Sequence, residues 1–210
     1  MRRKKIIRLV LAIIIIIAIA FGITILTNKK GQGKKRLLNL YESLNTSQTY
    51  LFEIEKDSKN KRIMAKMGEK TIIDKYCEDN HETTLVEDGT TYFILHNREE
   101  YYVYEQNNVE QSILTDGLQE VVQKEFITGN EKVKGKTYDY EEYVGSTEFM
   151  IASTSDVKEE DIKTRFYFDK NDNLVYIKTI YGGYQEILKI TVENNVDDSL
   201  FEIPSNYAEN

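Results

Sequence analysis

FYFDKNDNLVYIKTIYGGYQEILKITV, residues 166–192, indicates most clearly how this chain folds. It contains three runs rich in β-branched and aromatic residues, separated by two groups of turn-forming residues at 171–173 and 182–183. Along the last run apolar and polar side chains alternate, with Leu188 and Ile190 on one side, as in a strand with one buried face. The short spacing predicts an antiparallel meander rather than βαβ units.

The same strand-and-turn pattern extends over most of the chain. Asp88-Gly89 is a strong two-residue hairpin signal. Leucines at helical spacing predict a helix over 36–44. Helical spacing also extends over 111–127, where Asp116 could cap a helix beginning at Gly117, and Gly129-Asn130 ends it. The charged segment 156–162 is either a loop or one helical turn. Further strands are predicted over 50–56, 62–67, 71–77, 83–87, 91–96, 101–106, 132–144 and 148–153. The expected fold is α+β, mostly β: a curved antiparallel sheet with one face covered by the two helices.

An uncharged apolar run at residues 9–26, LVLAIIIIIAIAFGITIL, precedes this domain. Eighteen helical residues span roughly 27 Å, close to the ~30 Å apolar core of a bilayer. Ala18-Ile19-Ala20 fits a signal-cleavage site formally, but the apolar run continues beyond it, which favours an uncleaved anchor. We therefore expect a short basic cytoplasmic tail at 1–8, a single transmembrane helix at 9–27, a basic linker at 28–36 and one domain at 37–207.

Charge limits where the domain lies and what it contacts. Five Lys/Arg stand on each side of the apolar run, so the positive-inside rule is nearly balanced, and the very short leading segment favours a cytoplasmic N-terminus. The linker lies against the lipid surface or is solvated. Residues 1–36 hold ten of the 28 basic residues and none of the 35 acidic ones, which leaves residues 37–210 with a net charge of −17. Such a domain repels nucleic acid, so we expect no nucleic-acid partner. Because the N-terminus is expected in the cytoplasm, we expect the domain on the extracytoplasmic side of the cell membrane.

The sequence contains no pattern typical of an active site or a cofactor site. No Gly-x-Ser-x-Gly is present, and the carboxylates are scattered, so we expect no enzymatic activity. His81 lies beside Cys77 in the acidic segment 78–82, but a structural zinc site needs about four ligands, and His96 is the only second histidine. We expect a solvated acidic turn there, with no metal or cofactor. Residues 169–173, DKNDN, lack the later Gly and Glu of a calcium loop, so a hairpin is expected.

Several phrases together resemble the bacterial LolA-like lipoprotein carrier superfamily, including its LppX-like and RseB-like relatives. These are the helix LLNLYESL at 37–44, the helical interruption in mid-chain, the final meander and the ending SLFEIPSNY at 199–207. The resemblance implies a half-barrel sheet with a helical lid, and an apolar cavity that binds lipid or acyl groups. Because an anchored chain cannot shuttle between membranes, the resemblance here implies binding at one membrane rather than transport.

Two functions follow from these expectations. The first is a membrane-anchored extracytoplasmic module that holds a lipid or other apolar ligand between sheet and lid. The second is a cell-envelope sensor or interaction protein with a filled core, which binds a protein partner instead of a ligand. The tyrosines and phenylalanines fit either a cavity wall or a core. The expected cavity wall consists of Phe52, Ile54, Tyr92, Ile94, Leu118, Val122, Phe166 and Phe168.

Overall fold

The computed structural model describes residues 33, 35–105, 113–145, 158 and 161–210. The predicted transmembrane helix, its cleavage motif, most of the linker and the predicted strand at 148–153 lie outside these residues. No helix within the described ranges is long and apolar enough to cross a bilayer. The elements are α1 (Arg36–Thr46), β1 (Thr49–Asp57), β2 (Asn60–Met67), β3 (Lys70–Cys77), β4 (Asn80–Glu87), β5 (Thr90–Leu95), β6 (Glu100–Glu105), α2 (Ile113–Val122), β7 (Phe126–Val133), β8 (Lys136–Val144), β9 (Lys163–Phe168), β10 (Leu174–Tyr181), β11 (Tyr184–Glu193) and β12 (Ala208–Glu209), with single 3-10 turns at His96–Arg98 and Asp198–Phe201.

The twelve strands form one open, curved sheet in the order β12-β6-β5-β4-β3-β2-β1-β11-β10-β9-β8-β7. Strands β1 to β6 make one meander and β7 to β11 another, and the pairing of β1 with β11 joins the two. All neighbours are antiparallel except β12, which pairs with β6 in parallel. The expected α+β, mostly β class is confirmed.

Tight turns set the register of the first meander. Asp88 and Gly89 have φ values of 50° and 77°, so the predicted hairpin between β4 and β5 is present. Positive φ at both central residues matches the right-handed twist of the flanking strands. In the β3–β4 hairpin the first turn residue, Glu78, has a positive φ of 55°, and the second, Asp79, does not.

The second helix was predicted too long. It ends at Val122, and Phe126 begins β7, so Gly129-Asn130 lies inside a strand. Gly129 lets the Tyr140 ring of β8 lie close against its backbone, because a Cβ would lie 2.5 Å from the hydroxyl of that side chain. The chain reverses instead at Lys134-Gly135, where both φ values are positive. Asp116 lies within the helix rather than at its cap.

One side of the sheet, the helix-covered face, carries the larger apolar cluster. Leu37 and Leu44 of α1 and Leu118 and Val121 of α2 pack on it. Removing this much apolar surface from water supplies the main driving force for folding. The strands contribute Tyr50, Phe52, Ile54, Met64, Phe126, Tyr143, Phe166, Phe168, Leu174, Ile177, Leu188 and Ile190.

The opposite side over β1 to β5, the tail-covered face, is covered by residues 194–207. Val196 and Phe201 of this tail pack on Ala65, Ile72 and Leu85. The register places these three strand residues side by side on neighbouring strands. Strands β1 and β2 are therefore buried on both sides, by the helices on one side and by the tail on the other.

Candidate functional site

A pocket of about 290 Å³ opens beside α1 on the helix-covered face. Its apolar lining consists of Leu40, Leu44, Leu174 and Val192, all of which belong to the large cluster or pack against it. Polar side chains, including Asn39, Asn173 and Asn194, complete the lining. Six of the ten lining residues are polar, so the pocket is a largely polar opening to solvent at the edge of the main core.

The residues predicted to line a cavity fall into two groups. Phe52, Ile54, Leu118, Phe166 and Phe168 are at most 1% exposed and lie in one cluster, with the half-buried Val122 packed against it. Tyr92 and Ile94 pair with Leu85 and Thr83 and lie on the tail-covered face instead. The structure therefore brings six of the eight together, and none of the eight lines the pocket beside α1.

A buried carboxylate fixes α1 above the sheet. Glu141 of β8 is 1% exposed and accepts hydrogen bonds from the backbone amides of Arg36 (2.6 Å) and Leu37 (3.3 Å). The hydroxyl of Tyr143 donates to the same carboxylate at 2.9 Å. Burial raises the pKa of the Glu141 carboxyl, although these donors oppose the rise. Glu141 therefore caps the first turn of α1 from a distant strand.

Arg36, assigned to the linker from the sequence, begins α1 and lies in the pocket wall. Its guanidinium pairs with Asp172 at 2.8 Å and with Asp139 at 3.1 Å. It also lies 5.7 Å from the centre of the Phe168 ring. Asp172 lines the pocket and Asp139 does not, so the lining carries one positive and one negative side chain, paired with each other.

A second group of functional side chains lies on the tail-covered face, and we call it the histidine cluster: Asp74, His81, Thr83, His96 and Tyr207. The rings of His81 and His96 stack with centroids 3.6 Å apart and planes 8° apart. His81 Nε2 lies 2.7 Å from Asp74 Oδ1, and Asp74 is only 5% exposed. The two histidines and the aspartate offer ligand atoms that all lie within 4.8 Å of one another, so they could hold a metal ion.

Hydrogen bonds link the histidine cluster to the C-terminal tail. The Thr83 hydroxyl donates to Asp74 Oδ1 at 2.5 Å and therefore accepts from His96 Nε2 at 2.8 Å. The Tyr207 hydroxyl lies 3.0 Å from His96 Nδ1, on the other side of the ring. Burial and the neighbouring His81 lower the pKa of His96. The cluster thus contains the only two histidines of the chain and one residue of the tail.

The structure corrects the prediction of a solvated acidic turn over 78–82. The turn is confined to Glu78 and Asp79, and His81 lies in β4 between the rings of Tyr76 and His96. A two-residue turn at 78–79 pairs His81 with Tyr76 and Thr83 with Asp74. Because the predicted strand began only at residue 83, the sequence reasoning missed this juxtaposition.

Comparison with known proteins identifies no family. No family model matches the chain, and no curated protein matches it. The crystal structure of an uncharacterized conserved protein from Thermus thermophilus is similar at a TM-score of 0.47 and 9% sequence identity, covering 83% of this chain and 96% of that one. The resemblance to the LolA-like superfamily accordingly stays a prediction.

Proposed function

We propose that this chain is a membrane-anchored, extracytoplasmic binding module that holds an apolar group in the pocket beside α1. In this proposal the sheet is a half-barrel and the two helices are its lid. The observation that supports it most is that the pocket lining is continuous with the apolar cluster of the helix-covered face. A bound apolar group would remove that lining from water, and the gain is about 25 cal/mol per Å².

The size and charge of the pocket limit the ligand. Its volume of about 290 Å³ is at the lower end of ligand pockets, which range over about 300–1,000 Å³. A short apolar chain, or the end of a longer acyl chain, fits this volume better than a whole lipid. Because Arg36 is already paired with Asp139 and Asp172, a neutral or zwitterionic head group suits the pocket wall better than an anionic one.

The predicted membrane anchor would keep the domain beside a lipid bilayer, and the bilayer is a source of such a ligand. Helix α1 begins at Arg36, nine residues beyond the end of the predicted transmembrane helix at 27. Nine residues reach at most about 30 Å. An anchored domain with this short connection would stay within reach of one lipid surface and would take its ligand there.

Photo-crosslinking of the full chain in detergent micelles tests the proposal. A phosphatidylcholine that carries a diazirine near the end of one acyl chain is expected to label α1 and the start of β10. Leu40→Trp, which fills the pocket without adding charge, should abolish the labelling while the far-UV circular dichroism is unchanged. The matched control is Ile187→Trp, at an exposed apolar residue outside the pocket, and it should label like the unmodified chain. Labelling that persists in Leu40→Trp would contradict this site.

The second candidate is an envelope sensor or interaction protein with a filled core. Packed aromatic rings within the large cluster favour it, since Phe126, Tyr143 and Phe166 are in contact, with centroid distances of 5.4 and 5.7 Å. A filled core would leave α1 and β10 of the full chain unlabelled by the same phosphatidylcholine probe. Neither candidate includes a catalytic step.

A further inference from the structure

We propose that Asp74, His81 and His96 bind a divalent transition-metal ion, such as Zn²⁺, on the tail-covered face. One carboxylate oxygen and two imidazole nitrogens lie within 4.8 Å of one another. In a tetrahedral zinc site, bonds of about 2.0–2.1 Å place neighbouring ligand atoms roughly 3.3 Å apart. The rings of His81 and His96 stack face to face, so both must turn about their side-chain torsions before their nitrogens point at one ion.

The backbone holds these ligands at fixed positions. Asp74 lies on β3 opposite Thr83, and His81 lies two residues before Thr83 on β4. His96 follows directly after β5, which pairs with β4. Two adjacent strands thus supply one ligand each and the turn after the next strand supplies the third, and ligands on rigid strands lose little freedom when a metal binds.

Tyr207 is placed to orient His96, the ligand that lies outside the regular strands. Metal-bound histidines usually donate their second ring nitrogen to a further group, which fixes the tautomer. The Tyr207 hydroxyl lies 3.0 Å from His96 Nδ1 and 3.5 Å from the His96 carbonyl oxygen. With a metal on Nε2, Nδ1–H would donate to Tyr207, and Tyr207 would donate to that carbonyl. The cluster can therefore accommodate the metal-binding tautomer of His96 without losing its link to the tail.

The ligand types limit the ion. Two imidazoles and one carboxylate suit Zn²⁺, and also Co²⁺, Ni²⁺ or Fe²⁺, whereas Ca²⁺ and Mg²⁺ prefer sites made of oxygen ligands. Three protein ligands leave one position for water or for a group from a partner. Because Tyr207 belongs to the C-terminal tail, metal binding is expected to hold the tail more firmly on the sheet.

Metal titration of the full chain in detergent micelles tests the site, with any affinity tag removed and with Cys77→Ser to eliminate the exposed thiol. We expect one Zn²⁺ per chain with a Kd of about 10 µM or tighter. Because the chain has only two histidines, NMR of the imidazole nitrogens gives two sets of signals, and both should shift together. Co²⁺ should give a visible absorption band that Zn²⁺ displaces.

Three variants separate a metal site from a hydrogen-bond network without an ion. His81→Gln and Asp74→Asn should each weaken Zn²⁺ binding at least about tenfold, and Tyr207→Phe, which keeps all three ligands, by about tenfold. The control Asp79→Asn, in the exposed turn beside the cluster, should leave the Kd unchanged. Circular dichroism without metal checks each fold. The proposal would be overturned if the folded chain bound Zn²⁺ only at millimolar Kd. It would also be overturned if His81→Gln and Tyr207→Phe bound Zn²⁺ as tightly as the unmodified chain.

Discussion

The helix-covered and tail-covered faces belong to one sheet, yet they are buried by different means. On the helix-covered face, α1 and α2 seal a cluster of sixteen buried apolar residues. On the tail-covered face, Val196 and Phe201 of a segment with one short 3-10 turn join three strand residues in a cluster of five, and the polar histidine cluster lies beside it. We infer that the helix-covered face supplies most of the stability, while the tail-covered face carries titratable groups on a cover that is easier to detach.

Beyond the tail, the same side of the sheet is covered by ion pairs. Glu131 accepts hydrogen bonds from Arg165 (2.7 Å), Lys178 (2.8 Å) and Tyr167 (2.5 Å). Arg165 also donates to Glu142 at 2.6 Å. Among the described residues, this ion-paired end, over β7 to β10, is covered by charged and aromatic side chains.

The largest predicted effect is on the helix-covered core. Phe166→Ala, at a fully buried residue, should lower the free energy of unfolding by about 3–5 kcal/mol. Phe201→Ala, in the tail, should cost less, because the tail can move to fill the space. Urea unfolding of both variants measures the difference. A cost for Phe201→Ala equal to or above that of Phe166→Ala would refute the inferred division of stability.

The next effect concerns the carboxylate that caps α1. Glu141→Gln puts an amide group against the backbone N–H groups of Arg36 and Leu37, so we expect a loss of about 2 kcal/mol. Asp139→Asn is the matched control, because its side chain is 61% exposed, and it should cost less than about 1 kcal/mol. Thermal unfolding followed by circular dichroism compares the two, and equal costs would show that the capping contact contributes nothing beyond charge.

The strands, the helix boundaries and the long-range contacts differ in how well they could be predicted from the sequence. Period-two patterns and two-residue turns such as Asp88-Gly89 are local, so most strands and α1 were predicted within a few residues. The boundary at Phe126 was missed because Val121, Val122 and Phe126 are spaced as they would be along one helix. The same residues fit equally well a helix that ends before Phe126 and is followed by a strand. The cap at Glu141 and the contact of His96 with Tyr207 join residues more than 100 positions apart, and no local pattern encodes them.

Acid should weaken the ion-paired end. Glu131 is partly buried, which raises its pKa, but hydrogen bonds from Lys178, Tyr167 and Arg165 outweigh this and lower it from 4.5 to about 2. Between about pH 4.5 and 2 the unfolded chain therefore binds more protons than the folded chain, and stability falls as the pH falls. The urea midpoint should drop over this range, and it should drop less in Glu131→Gln. Parallel pH profiles for the two chains would contradict the role given to Glu131.

The smallest effects distinguish two glycines that serve different purposes. Gly68, between β2 and β3, has φ +61° and open space around its Cα, so Gly68→Ala should cost about 1 kcal/mol through the backbone alone. Gly129→Ala should cost about as much for another reason, because its Cβ displaces the Tyr140 ring, which lies 4.6 Å from the Arg165 guanidinium.

Further variants at Gly68, Gly129 and Tyr140 separate the backbone cause from the side-chain cause. Asn tolerates a left-handed backbone, so Gly68→Asn should recover part of the loss, whereas Gly129→Asn should recover none. Tyr140→Ser, which removes the ring, should make the further change Gly129→Ala nearly neutral and leave the cost of Gly68→Ala unchanged. If Gly129→Ala stayed equally costly without the ring, the ion-paired end would depend on the backbone of β7 rather than on the side chains that cover it.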